Sequence, residues 1–262
     1  MRKEGWRAWR RGVASELPGL EPVIGHRGAA ARAPENTLAG LRKAHMLGAR
    51  WVEFDVMLTA DQVPVLIHDE TLARTTTGRG EVAGVTATEI ADLDAGSWFA
   101  PEFAGERVPT LEQAVALLLA LGMNANVEIK PASGHEVATG EAVADELKRL
   151  WPEHGPHLLL SSFEREAVAA ARQVAPHLAR GLLVGALPKD WAVALEGLAC
   201  TTLHLDQSRA TLGTMSTLTA AGVPTLFYTI NDATRARELL SAGARAVFTD
   251  LPDVLLASLA AQ

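Results

Sequence analysis

One cysteine, one tyrosine and an aromatic share of only 5% stand in a chain of 262 residues. Cys200 has no partner for an internal disulfide, and without a CxxC pair there is no thiolate zinc or redox site. That excludes a disulfide-stapled secreted domain and points to a reducing, cytoplasmic setting. Long apolar runs are missing too. The longest, around Ala114 to Met123, is about half of what a bilayer crossing needs, so no transmembrane segment is expected. Positive charge is also scarce: 24 Lys and Arg against 31 Asp and Glu leave a net charge of −7. That is the wrong sign for a protein that neutralises a polyanion, so nucleic acid is not an expected partner. The opening MRKEGWRAWRRGV is basic, but it has neither an apolar core segment nor a small-residue cleavage site and does not read as a secretory signal. Trp6 and Trp9 leave contact with a membrane surface as a lesser alternative to a flexible arm.

What is present is ample apolar material, 48% of residues, arranged in a rhythm. From Pro22 onward, short β-rich runs alternate with longer helical ones, the mark of βα units around a parallel sheet. The strand candidates are Val23–Gly25, Trp51–Leu58, Asn126–Lys130, Leu158–Ser161, Gly181–Val184, Thr202–Asp206, Thr225–Thr229 and Ala246–Thr249. Runs such as Thr37–Leu47, Leu111–Leu121, Glu136–Leu150, Arg165–Ala175 and Ala233–Ser241 carry apolar residues at helical spacing. Eight repeats over about 240 residues predict a closed (β/α)8 TIM barrel over residues 22–262, with 1–21 as an N-terminal arm. An open doubly wound sheet is the runner-up, but it usually carries a glycine-rich phosphate loop after its first strand. Residues 69–109 break the rhythm as a small inserted subdomain after the second strand, far longer than an ordinary βα connection. Capping-box patterns at Thr86/Glu89 and Thr110/Gln113 predict a short helix inside it and the helix that ends it. Trp98, Phe99 and Phe103 are candidates for packing it onto the barrel mouth.

Period-two alternation in Trp51–Leu58 puts Val52, Phe54, Val56 and Leu58 toward the helices and Glu53 and Asp55 into the barrel. Asn126–Lys130 repeats the pattern, with Glu128 and Lys130 facing inward. Three carboxylates and no thiol suit a hard divalent cation, Mg²⁺ or Ca²⁺, better than zinc. The competing reading is an internal salt-bridge network in which Lys130 and Arg27 neutralise them. His26 directly follows the first strand and His68 follows the extended run Val63–Ile67, where a barrel carries its active site. Either can exchange protons near neutral pH. Arg27 and Lys130 favour an anionic substrate, phosphate above all. Glu35, Asn36 and Thr37 stand where the first helix begins, and Asn36 or Thr37 suits its N-cap, a reading compatible with a second role in which Glu35 orients Arg27 or another pocket residue. His204 faces inward from its strand and is a candidate pocket residue, whereas His45, His135, His154, His157 and His177 read as surface.

In their order and spacing, His26-Arg27-Gly28, Pro34-Glu35-Asn36-Thr37, Glu53-Phe54-Asp55, His68-Asp69 and Glu128-Ile129-Lys130 resemble the glycerophosphodiester phosphodiesterases, most of all the cytosolic bacterial members. The resemblance runs from Val23 onward and includes Ser161-Ser162-Phe163, Tyr228-Thr229-Ile230-Asn231 and Thr249-Asp250. It implies hydrolysis of small anionic glycerophosphodiesters to sn-glycerol 3-phosphate and an alcohol. It also implies one divalent cation on Glu53, Asp55 and Glu128, an acid–base pair in His26 and His68, and phosphate binding by Arg27 and Lys130. Tyr228 stands where the family commonly has tryptophan, and Phe163 is the other residue expected against the glycerol carbons. Water and the substrate's own 2-hydroxyl both remain open as the first nucleophile.

Two rival readings follow. A phospholipase D acting on lysophospholipids needs a greasy entrance, for which Trp98, Phe99 and Phe103 are the only material. A non-catalytic phosphodiester-binding protein has no need of an acid–base pair.

Overall fold

The computed structural model describes residues 19–261, so Trp6 and Trp9 lie outside the described residues. Among the described residues there are nine strands, with helices between all but β2 and β3: β1 (Val23–Gly25), β2 (Trp51–Leu58), β3 (Pro64–Leu66), β4 (Asn124–Ile129), β5 (Leu158–Ser162), β6 (Ala179–Val184), β7 (Thr202–Asp206), β8 (Thr225–Tyr228) and β9 (Ala246–Thr249). All but β3 pair in parallel in the order β1-β9-β8-β7-β6-β5-β4-β2, and β2 returns to β1 through Ile24↔Trp51 and Gly25↔Val52. The ring is therefore closed with eight parallel strands, and the open doubly wound sheet is excluded. β3 is the exception. It pairs antiparallel with the end of β2, Val56 against Leu66, after a tight turn in which Gln62 takes a positive φ of 62°.

The helices are α1 (Leu38–Met46), α2 (Ala87–Ala91), α3 (Leu111–Leu121), α4 (Glu136–Leu150), α5 (Arg165–Val174), α6 (Trp191–Leu198), α7 (Leu212–Ala221), α8 (Ala233–Ser241) and α9 (Pro252–Ala260). Both capping boxes form, Thr86 with Glu89 at α2 and Thr110 with Gln113 at α3. Thr37, not Asn36, caps α1, its hydroxyl accepting from the Gly40 N–H.

The alternation along β2 and β4 comes out as expected. Val52, Phe54, Val56, Val127 and Ile129 pack outward with helix residues such as Leu41, Leu111 and Leu118 in one buried cluster. Inside the barrel a second layer is apolar and closes the floor: Ile24, Trp51, Leu159, Leu226, Ala246 and Phe248. The Trp51 indole N–H donates to the Gly19 carbonyl at 2.8 Å, and its ring stacks on His157 at 6.3 Å. His157 thus works beneath the barrel rather than as a plain surface residue.

The segment beyond β3 is held by aliphatic side chains, which corrects the expectation that aromatics do this. Met57, Val65, Ile67, Leu72, Val82, Ile90, Ala95 and Val108 form its buried cluster. Trp98, Phe99 and Phe103 meet edge to face at 5.7 and 5.5 Å, but Trp98 is 41% exposed.

Candidate active site

The site lies where the strands end. The turn after β1 is tight. Arg27 adopts φ 48° and Gly28 φ 87°, and a Cβ on Gly28 would sit 2.5 Å from the Gly40 backbone of α1. Only glycine fits there. A left-handed Arg27 costs roughly 1–2 kcal/mol, offset by its own N–H, which donates to Glu53 Oε2 at 2.9 Å. The turn brings His26 and Arg27 to the same opening, so backbone strain coincides with the residues that carry charge.

Glu53, Asp55 and Glu128 are buried, and each offers an oxygen within 4.8 Å of the others. Arg27 Nε lies 3.3 Å from Asp55, and Lys130 Nζ lies 3.6 Å from Glu128. These two cations do not balance the cluster. Burial, then the Asp55 and Glu128 charges, push the Glu53 carboxyl well above its ordinary range. Burial and Asp55 push Glu128 up to about 8 against the pull of Lys130 and Arg27. A pure salt-bridge network would leave both groups comfortably ionised, whereas a divalent cation would satisfy all three. The all-oxygen donor set fits that cation.

Each histidine is pinned through the same ring atom. His26 Nδ1 sits 2.7 Å from Asp250 Oδ1, and His68 Nδ1 sits 2.6 Å from Asp69 Oδ1. Burial alone would raise Asp250, but its bonds with His26 and Asn231 hold it below the usual carboxylate range. Hydrogen bonds from Arg74 hold Asp69 low despite some burial. An ionised carboxylate can only accept, so Nδ1 carries a proton in both rings, which leaves Nε2 outside that bond. His26 Nε2 lies 3.9 Å from Glu53. Burial lowers the His68 pKa, the charge of Asp55 opposes this, and the net direction is down.

A cavity of about 150 Å³ joins these groups; His26, Arg27, Glu53, His68, Glu128, Lys130, Phe163 and Tyr228 all line it. Phe163 and Tyr228 meet edge to face at 5.8 Å, and the Tyr228 hydroxyl donates to the Val184 carbonyl at 2.9 Å. The phenol is thereby committed to the wall, and its ring offers an apolar edge. Asp55 lies beneath, its carboxylate accepting from Asn36 Nδ2 at 2.8 Å while its N–H donates to Asn36 Oδ1 at 3.1 Å. His204 also lines the cavity, in room that Gly181 leaves: a Cβ there would fall 2.5 Å from His204 Nε2. Burial takes His204 down to about 3, so it is a neutral wall residue.

Sequence reasoning left several participants without a role. Asp250 and Asn231, which bond to each other at 2.7 Å, had a usable signal: Asp250 directly follows β9 and Asn231 lies three residues past β8, in loops at strand ends where such residues are functional. Asn36 looked like a helix-start residue, yet in the structure it serves Asp55; Glu35 takes the second role the sequence allowed it, accepting from Arg27 Nη1 at 2.8 Å. Arg74 gave no sequence signal at all.

Comparison with known proteins agrees with this geometry. The family model described as the glycerophosphoryl diester phosphodiesterase family matches residues 26–254. A glycerophosphodiester phosphodiesterase of Caldanaerobacter subterraneus is 35% identical over 237 residues, covering 89% of this chain and 96% of that protein. The solved structure of an Oleispira antarctica phosphodiesterase in complex with its product sn-glycerol-3-phosphate superposes with a TM-score of 0.89. It shares 42% identity, with 92% of this chain and 97% of that one covered. A glycerophosphodiester phosphodiesterase structure from Agrobacterium tumefaciens gives a TM-score of 0.73 at 29% identity, covering 90% and 99% of the two chains. With its barrel, its charged mouth and a family match over most of its length, the chain belongs to the glycerophosphoryl diester phosphodiesterase family.

Proposed function

We propose that this chain hydrolyses small glycerophosphodiesters to sn-glycerol 3-phosphate and an alcohol, using a divalent cation and two histidines. The observation that carries the reading is one cavity lined by Glu53, Glu128, two carboxylate-paired histidines and two cations, with Asp55 beneath it completing a buried group of three carboxylates. Glu53, Asp55 and Glu128 would hold Mg²⁺ or Ca²⁺, which when bound supplies a Lewis acid for the phosphoryl oxygens.

The chain's own groups account for the rest. Arg27 and Lys130 receive the negative phosphate and share the charge that grows as phosphorus becomes five-coordinate. Arg27 suits this because, although burial works against its charge, Asp55, Glu35 and Glu53 keep it firmly protonated. With Nδ1–H of each histidine given to an aspartate, one ring starts neutral and its Nε2 takes a proton from the nucleophile, while the other starts doubly protonated and its Nε2–H gives one to the departing alkoxide. Phe163 and Tyr228 offer ring edges to the glycerol carbons. Residues 22–262 act as the catalytic domain with 69–109 inserted and 1–21 as an arm.

No helix among the described residues is long and apolar enough to cross a membrane. Cys200 is buried, its thiol pushed up to about 12, and suits the reducing cytoplasm we assign.

The test is release of glycerol 3-phosphate from glycerophosphocholine by metal-stripped protein, with Mg²⁺, Ca²⁺ or nothing added back. Release that needs the cation and disappears in Glu53→Gln supports the reading. Release from lysophosphatidylcholine alone replaces it with the lipid reading, and folded protein that cleaves neither substrate with either cation rules it out.

A further inference from the structure

We propose that Arg74 is a positioning residue that ties the two halves of the site together, setting His68 through Asp69 and Arg27 through Glu35. The proposal rests on the phosphodiesterase reading above. Arg74 lies in the segment that leaves the barrel after β3. Its Nε donates to Asp69 Oδ2 at 2.5 Å and its Nη2 to Asp69 Oδ1 at 3.1 Å. On the other side, Nη1 and Nη2 donate to the two oxygens of Glu35, both at 2.8 Å. One planar guanidinium thus grips two carboxylates at once, a geometry that a lysine ammonium cannot copy.

Each carboxylate passes the constraint on. Asp69 Oδ1, besides accepting from Arg74, pins His68 Nδ1 at 2.6 Å. Glu35 Oε1, besides accepting from Arg74, holds Arg27 Nη1 at 2.8 Å. A single carboxylate therefore separates Arg74 from a proposed acid–base residue on one side and from a proposed phosphate ligand on the other. No other described contact joins the chain after β3 to the turn before α1 through both of these groups.

Stability alone explains the arrangement poorly. The Arg74 side chain is 43% exposed, and exposed ion pairs add little to folding. Positional control is a better account. Without Arg74, Asp69 loses both restraints apart from His68 and can rotate with the ring, while Glu35 keeps only Arg27 and can follow it out of register. Small misplacements of such groups are costly to rate.

The test uses the full chain with its activating cation. The variants are Arg74→Ala, Arg74→Lys and, as a control on the same segment, Arg79→Ala, whose side chain donates to the neighbouring Gly78 carbonyl and, among the described residues, bonds no group of the site. Glycerophosphocholine hydrolysis is read as kcat and KM, thermal melting is followed in parallel, and guanidinium ion is added to Arg74→Ala. The proposal expects Arg74→Ala to lose on the order of 10- to 100-fold in kcat/KM, with melting close to that of the parent. It also expects partial recovery by added guanidinium, a smaller loss in Arg74→Lys, and parental activity in Arg79→Ala. Parental kcat and KM in Arg74→Ala overturn it. So does a loss that only tracks lowered melting and that guanidinium leaves untouched. If the parent protein hydrolyses no glycerophosphodiester, the proposed reaction fails and this role fails with it, whereas an active parent with an indifferent Arg74 leaves the reaction standing.

Discussion

His26 is carried by the barrel wall, whereas His68 is carried by a hairpin that leaves it, and the two are secured differently. On the wall, Asp250 is fixed by a neutral amide: Asn231 Nδ2 donates to its carboxylate at 2.7 Å, while Asn231 Oδ1 accepts from the Asp250 N–H and the Thr249 hydroxyl. These residues follow β8 and β9, whose register is set by parallel ladders, so packing does most of the positioning. On the hairpin side no such ladder runs beyond Leu66, and the Asp69 carboxylate is fixed by a charged, half-exposed arginine. Where a barrel strand supplies rigidity, neutral hydrogen bonds suffice; where the chain departs from the barrel, an ionic clamp takes over. The same histidine–carboxylate unit is thus built twice on different foundations.

If both units serve the reaction, His26→Ala and His68→Ala should each lower kcat by roughly 10²- to 10⁴-fold, measured on glycerophosphocholine. A large loss in one and none in the other would break the symmetry of roles. The next effect separates the foundations. Asp250→Asn and Asp69→Asn each remove the charge that fixes the Nδ1 tautomer, and each should cost on the order of 10²-fold. In Asp69→Asn the His68 pKa, read by NMR titration, should fall further below its already lowered position, because the Asp69 bond is one of the influences that raise it.

The third contrast is in pH. Wall carboxylates Glu53 and Glu128 are raised in the metal-free protein, so the folded state keeps protons that the unfolded chain has released. Their stabilising contribution is complete below the unfolded value of about 4.5 and fades as pH climbs toward about 8. On the hairpin side Asp69 and Glu35 are lowered, so their contribution is lost instead as pH falls below the ordinary carboxylate range. Melting of metal-free protein should therefore decline from pH 5 to pH 8. Added Mg²⁺ or Ca²⁺ should restore more at pH 8 than at pH 5, about 2.7 kcal/mol when the cation is at 100 times its dissociation constant. Equal restoration at both values would argue against a site on the raised carboxylates.

The smallest expected effect compares the two cores. Ile129→Val in the wall and Ile90→Val in the inserted segment, both buried, should each cost about 0.5–1.5 kcal/mol. By hydrogen exchange, Ile90→Val should loosen amides of the inserted segment alone.

The barrel was legible because its evidence is local. Alternation in Trp51–Leu58 places Glu53 and Asp55 inward whatever the partners are, and α3, α4 and α8 begin and end where their apolar spacing and caps direct. The ligand-like carboxylates were legible for the same reason, as polar residues at inward strand positions that an apolar core would not tolerate, and both histidines because they follow extended runs, where a barrel carries its active site. The partners were not. Asp250 meets His26 across 224 residues and Arg74 meets Glu35 across 39, contacts made only when the ring closes and the hairpin folds back. Asn36 misled because an amide before a helix is an ordinary cap, and its service to Asp55 depends on a left-handed φ of 55° that the sequence does not announce. The buried cluster of the inserted segment leaves out Trp98, Phe99 and Phe103, because hydrophobicity alone does not reveal which apolar side chains a fold buries.

The central claim is that the three carboxylates and the two histidines serve one hydrolysis that yields glycerol 3-phosphate, and phosphorus-31 NMR of glycerophosphocholine incubated with the protein addresses it most directly. With Mg²⁺ or Ca²⁺ present, the diester resonance should give way to that of sn-glycerol 3-phosphate, with free choline released, and this conversion should vanish in Glu53→Gln and His26→Ala. Choline phosphate as the product, or undiminished conversion in both variants, would contradict the account.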